Sequence, residues 1–174
     1  DGVINFDFGY VHCKKMFKFK PGIFDLVLKA NASKFLCVVV TNQSGIGRGL
    51  YSHENFRALS IWMCEKFKKN DANIDAIYYS PFHPTEGKGQ YLLKENTRKP
   101  GSGMFIEAAS DLNIDLPRSI MIGDNLTDMK ASVSANVGRN YLLCRSDGSQ
   151  TQNKIHKNYD LISDFSSIKF ARFS

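Results

Sequence analysis

The 174 residues are 43% apolar and 23% charged, enough for one α/β domain that hides about two-thirds of the surface its unfolded chain exposes. A formal charge of +6 and a pI near 9.1 suit an anionic ligand. The basic residues are nevertheless dispersed, apart from Lys14-Lys15, Lys66 to Lys69 and Arg98-Lys99, where a nucleic-acid binder concentrates charge on one face or arm. The four cysteines form no CxxC, and no apolar stretch approaches the roughly 20 residues of a membrane helix. A reduced, cytoplasmic, monomeric protein is expected, with no nucleic-acid or membrane partner.

Gly22 to Ala32 opens after Pro21 and places Ile23, Phe24, Val27 and Leu28 at helical spacing. Phe35 to Val40 is a continuous β-branched run, the signature of a strand buried on both faces, and it ends in Thr41-Asn42-Gln43-Ser44-Gly45. Ser52 to Asn55 starts a helix with Phe56, Leu59, Trp62, Met63 and Phe67 on one stripe. Ile74 to Tyr79 is a second strand, followed by a long polar loop from Ser80 to Asn96. Gly103 to Leu112 reads as a helix, Ser119 to Ile122 as a strand ending at Gly123-Asp124, Leu126 to Ala135 as a helix and Tyr141 to Cys144 as a strand. From Ser146 to Asn158 the chain turns polar, and Tyr159 to Ser174 is a weakly defined tail.

Strands alternating with helices over short links imply an α/β doubly wound parallel sheet, in three α/β/α layers, with right-handed crossovers. Residues 1–174 are taken as a single domain, with the core motifs in 1–145. Ligands of such sheets bind outside the carboxyl ends of the strands. That directs attention to Asp1, Thr41-Asn42, Arg98-Lys99 and Asp124: an acid, a hydroxyl, cations and a metal-binding carboxylate. Such a set suits phosphoryl transfer, in which catalysis is largely positioning and charge neutralisation.

Four segments, in order, resemble the four motifs of the haloacid-dehalogenase (HAD) phosphatases. They are Asp1-Gly-Val-Ile-Asn5, Val39-Val-Thr-Asn-Gln-Ser-Gly-Ile-Gly-Arg-Gly49, Arg98-Lys-Pro100 and Ile122-Gly-Asp-Asn-Leu-Thr-Asp-Met129. With Phe8 to His12 and Tyr78 to Pro81, the resemblance extends over about residues 1–145 to the heptose-1,7-bisphosphate 7-phosphatases and the related histidinol-phosphate phosphatases. It implies a Rossmann-like HAD fold, Mg2+ as cofactor and a small phosphorylated sugar as substrate. Asp1 matches the general acid and a metal position, Thr41 the hydroxyl donor to the phosphoryl group, Lys99 the neutralising cation and Asp124 a magnesium ligand, with Asp128 in support. Substrate contacts are implied at Asp7, Gly9, Tyr10, Thr41, Asn42, Gln43, Ser44, Arg98, Lys99 and Asn125. For Arg98 a guanidinium fork on a second phosphate is expected; for Asn125 a helix N-cap competes, and for Tyr10 core packing.

The sequence departs from the family twice. Where many relatives place Cys-Pro-His and Cys-x-Cys around a zinc ion, this chain reads Ser80-Pro81-Phe82 and Glu95-Asn96-Thr97, so zinc is not expected. The family also has a buried strand and a nucleophilic aspartate ahead of the residue matching Asp1. The encoded protein is expected to carry both and to be active, whereas a sample beginning at Asp1 is expected to be inactive; an intact mass near 19.6 kDa would identify the latter. Other readings are a histidinol-phosphate phosphatase, a polynucleotide 3′-phosphatase on the same core, and a degenerate phosphate-binding module.

Overall fold

A computed structural model describes residues 1–144 and 158–170. Its helices are α1 (Ile23–Ala32), α2 (Ser44–Gly47), α3 (His53–Lys68), α4 (Gly103–Leu112) and α5 (Leu126–Ser134). Its strands are β1 (Val38–Asn42), β2 (Ala76–Ser80), β3 (Ile120–Gly123), β4 (Arg139–Leu143) and β5 (Asp160–Ile162). All strand pairings are parallel: β1 with β2 in one sheet, and β3-β4-β5 in another. The polar stretch from Ser146 to Asn158 lies almost wholly outside the described residues, as do the last four residues of the tail.

Period-two alternation sorts the strand side chains into two layers. Val39 and Ile122 pack with Ile23, Val27, Met63 and Phe67 of α1 and α3, while Val40 and Met121 pack with Phe105 of α4 and Ala131 of α5. Helices therefore cover both faces of the strands, the three-layer arrangement expected from the sequence. The first layer is rich in aromatics, since Phe17, Phe19, Phe24, Trp62 and Phe67 meet edge-on or tilted with ring centroids 4.7–5.9 Å apart.

Element boundaries moved where hydrogen bonding overrides hydropathy. The apolar run from Phe35 predicts a strand, but the Phe35 amide closes the end of α1 on Ala30 O and the Cys37 amide donates to the Asp75 side chain at 2.7 Å. Pairing with β2 begins only at Val38, and it continues through Thr41 and Asn42 because Tyr79 and Ser80 are opposite them. In α1 the buried stripe is Ile23, Leu26, Val27 and Ala30, and Leu28 faces solvent. The tail supplies a short parallel strand, β5, on the outer edge of β4.

Helices α3 and α5 begin with capping boxes, Ser52 with Asn55 and Asn125 with Asp128. Among the described residues, no helix is long and apolar enough to cross a membrane. Phe67 is fully buried between α1 and the aromatic layer. Phe67→Ala is expected to cost about 3–5 kcal/mol of stability, read as a fall in the urea midpoint.

Candidate active site

The carboxyl ends of β1 and β3 open onto a cavity of about 370 Å3. Asp1, Asp7, Thr41, Asn42, Lys99, Asp124 and Asn125 all line it, so seven of the residues singled out from the sequence meet in one place. The cavity continues downward between β1 and β3, where Val38, Val40, Ile120 and Ile122 form its walls. Among the described residues the facing edges of these two strands are not hydrogen-bonded to each other.

Lys99 is the most constrained of these residues. Its backbone is tied to the end of β1 by a reciprocal pair, Lys99 N donating to Asn42 Oδ1 and Asn42 Nδ2 to Lys99 O, both at 3.0 Å. Its ammonium donates to Val40 O at 2.9 Å and pairs with Asp128 at 2.6 Å, and the two side chains are only 10% and 8% exposed. The second Asp128 oxygen accepts the amides of Asp124 and Asn125 at 3.1 and 3.0 Å. One buried carboxylate thus connects the cation to the turn that presents Asp124.

Gly2 explains why the first motif needs glycine. Its φ is +83°, in the left-handed region, and a methyl group there would overlap the Asp124 carboxylate. The close approach sets Asp124 directly against the backbone that carries Asp1. The Asp1 side chain accepts from Asn5 Nδ2 at 2.7 Å, and Asn5 is itself buried.

Thr41 is oriented by a relay. Tyr51 OH donates to Gln43 Oε1 at 2.5 Å, and Gln43 Nε2 donates to Thr41 Oγ1 at 3.0 Å, which leaves the threonine proton to point elsewhere. Burial pushes the Tyr51 phenol up to about 12, so it remains a donor through the neutral and mildly alkaline range. Gln43, one of the expected contact residues, is buried with both ends of its amide engaged, and its side chain holds Thr41.

The other expected contact residues lie around the mouth. Asp7 accepts from the Gly9 amide at 2.9 Å, and Gly9 and Tyr10 both have positive φ, forming an exposed turn. Ser44 starts α2. Asn125 caps α5, accepting from Thr127 N at 3.0 Å, while still lining the cavity. Arg98 is half-buried and donates to Phe82 O at 3.0 Å.

Sequence reasoning did not single out Tyr51, Arg48 or His53. Tyr51 lies outside every motif, and nothing local marks it. Asp128 was singled out as support for Asp124, and it closes an Asn-x-x-Asp capping box as the fourth residue, but its ion pair with Lys99 spans 29 positions and is tertiary. The loop after β2 is held by polar contacts: His53 bridges the Tyr79 and Tyr91 hydroxyls at 2.8 and 2.9 Å, and Arg48 pairs with Glu86.

A family model described as HAD-hydrolase-like matches residues 96–164. A D-glycero-alpha-D-manno-heptose-1,7-bisphosphate 7-phosphatase of Burkholderia mallei is 45% identical over 150 residues, 86% of this chain and 79% of the relative. A D-glycero-beta-D-manno-heptose-1,7-bisphosphate 7-phosphatase of Vibrio cholerae is 46% identical over 143 residues, 82% and 77% of the two chains. The chain belongs to the heptose-bisphosphate phosphatase family of HAD-type hydrolases.

Among solved structures, a HAD-like phosphatase from Mesorhizobium loti superposes with a TM-score of 0.78 at 33% identity, covering 82% of this chain and 68% of the other. The fold alone is shared with a D,D-heptose 1,7-bisphosphate phosphatase from B. bronchiseptica complexed with magnesium and phosphate, at a TM-score of 0.80, 24% identity and coverage of 95% and 89%. HAD phosphatases are magnesium-dependent, and the donors present here fit that ion. Asp1 and Asp124 offer hard oxygen, and no group of three or more His, Cys, Asp or Glu side chains gathers among the described residues. Magnesium is commonly held by one or two carboxylates together with water and substrate phosphate, so the Asp124 carboxylate with the Asp1 backbone carbonyl fits it.

Two substitutions test this geometry. Asp128→Ala leaves the Lys99 ammonium buried without its carboxylate and is expected to destabilise by about 3–5 kcal/mol, measured by denaturant titration. Gly2→Ala forces a left-handed alanine, worth about 1–2 kcal/mol, and displaces Asp124; the expected result is a lower Tm together with weaker Mg2+ binding by calorimetry.

Proposed function

We propose that this protein is a magnesium-dependent phosphatase that hydrolyses the 7-phosphate of D-glycero-D-manno-heptose 1,7-bisphosphate through an aspartyl-phosphate. The observation that carries the reading is the convergence of Asp1, Thr41, Lys99 and Asp124 on one cavity at the carboxyl ends of β1 and β3, in a chain 45% identical to a heptose-bisphosphate phosphatase.

Each residue has a chemical task. By resemblance, the nucleophile is the aspartate that the family's first motif places two positions ahead of the residue matching Asp1. Asp1 protonates the departing sugar alkoxide and later takes a proton from the water that cleaves the acyl phosphate. Lys99, fixed by Asp128 and Val40 O, balances the charge of nucleophile and phosphoryl group. Thr41, whose oxygen already accepts from Gln43, donates a hydrogen bond to a phosphoryl oxygen. Bound magnesium would be held by the Asp124 carboxylate and the Asp1 backbone carbonyl, and would supply further charge neutralisation at the phosphoryl group. Arg98 receives the second phosphate through its guanidinium fork.

Phosphate release by the full-length protein on heptose 1,7-bisphosphate, histidinol phosphate and a 3′-phosphorylated oligonucleotide tests the assignment. Turnover is expected to be fastest on the bisphosphate, to stop on chelation of Mg2+, and to fall by about 10²–10⁴ in Asp1→Asn. Faster release from histidinol phosphate or the oligonucleotide would reassign the substrate, and no release from any would remove the enzyme reading.

A further inference from the structure

Behind Thr41, two hydroxyl groups compete for one carbonyl oxygen. Gln43 lies between Thr41 and Tyr51, and its amide has one end that accepts and one that donates. The two ends are nearly the same size, so the amide could stand either way round with little change in packing. With Oε1 toward Tyr51, Thr41 accepts from Nε2 and keeps its own proton for a ligand. With the amide reversed, Thr41 would donate inward to Oε1, and its proton would be lost to the cavity.

Acidity decides between the two arrangements. A phenol is far more acidic than the aliphatic hydroxyl of threonine and is the stronger hydrogen-bond donor, so it takes the carbonyl oxygen. Tyr51 OH accordingly donates to Gln43 Oε1 at 2.5 Å, at the short end of such contacts, and Gln43 Nε2 donates to Thr41 Oγ1 at 3.0 Å. Gln43 and Tyr51 are both buried, so bulk water does not offer the phenol another acceptor. The Tyr51 ring has little freedom to turn away. His12 stacks on it nearly parallel, at 8° with ring centroids 5.3 Å apart. His12 is itself anchored, because its Nδ1 lies 2.7 Å from Tyr10 O and a carbonyl can only accept. Gly45 makes room for the ring, since a Cβ there would overlap it, and Ile46 and Phe56 share its apolar cluster.

We infer that Tyr51 is a positioning residue for phosphoryl transfer: by claiming Gln43 Oε1 it holds the amide in the one orientation that leaves the Thr41 proton available to the phosphoryl group. Tyr51 does not line the cavity, so it acts only through Gln43 and Thr41. No proton moves along the relay; Tyr51 fixes the direction of two hydrogen bonds and thereby of a third. This rests on the phosphatase reading above, in which Thr41 is the hydroxyl donor. Gln43 then has a task that requires an amide, one group that can accept from a phenol and donate to an alcohol at the same time.

The test is phosphate release by the full-length protein with Mg2+, on whichever substrate of the panel above it turns over fastest. Tyr51→Phe keeps the ring and removes the donor. Its kcat and kcat/KM are expected to fall together by about ten- to a hundred-fold, less than the roughly 10²–10³ lost when a transition-state donor is deleted outright. Thr41→Val supplies the control: in that background Tyr51→Phe is expected to change kcat by less than about twofold, because the hydroxyl it directs is gone. A merely structural role would give similar losses in both backgrounds, or raise KM alone. Either result overturns the inference, as does a Tyr51→Phe kcat within about twofold of the parent. Should Tyr51→Phe lose its fold by circular dichroism, Gln43→Glu, whose carboxylate accepts from Thr41 and draws its proton inward, is judged by the same comparisons. If the parent releases phosphate from no substrate, the phosphatase reading fails and takes the role of Tyr51 with it, whereas an active parent with unresponsive variants rejects the role of Tyr51 alone.

Discussion

The Lys99–Asp128 ion pair is the constraint on which the rest of the site depends. A pair this buried contributes little net stability, because removing two charges from water costs about as much as their attraction returns. Its value is geometric. Asp128 binds the Lys99 ammonium with one oxygen and the amides of Asp124 and Asn125 with the other, while Lys99 reaches across to Val40 O. One carboxylate therefore sets the distance between the Lys99 cation and the turn that presents Asp124. The two sheets, whose facing strands share no ladder, are bridged at their carboxyl ends by this contact.

Around that contact, each reactive side chain is positioned by a partner that has no evident chemistry of its own. Asn42 ties the Lys99 backbone to β1, Gln43 and Tyr51 orient Thr41, and Gly2 admits the Asp124 carboxylate. Preorganisation of this kind matters for phosphoryl transfer, since little covalent rearrangement is left for the protein to assist and most of the work is charge placement. The long loop after β2 follows the same logic. His53 bridges two tyrosines and Arg48 pairs with Glu86, so directional polar contacts link the loop to α2 and α3.

The reading of Gln43 shows where motif transfer stops. A motif match reports that a residue type recurs at a position and does not separate a ligand contact from a support. Burial does separate them. Gln43 is 5% exposed with its amide engaged at both ends, whereas Arg98, in the next motif, is half-open. Asn125 occupies both roles, capping α5 and lining the cavity, because an N-cap at the end of a parallel strand necessarily sits where ligands bind.

The sequence by itself determined the layer order and the chemistry of the edge. Continuous β-branched runs are the signature of strands covered on both faces, and polar segments directly after them fall at the carboxyl ends of the strands, so Thr41, Asn42 and Asp124 were legible from pattern and Lys99 from its motif. Only the tertiary structure decided which long-range partners hold them: Asp128 for Lys99, Tyr51 for Gln43, Gly2 for Asp124 and Glu86 for Arg48. Periodicity and hydropathy register a residue's burial and its local backbone state. An ion pair between residues 99 and 128, or a glycine whose missing side chain makes room for a carboxylate 122 positions away, depends on how the chain folds back on itself, and no local pattern records that.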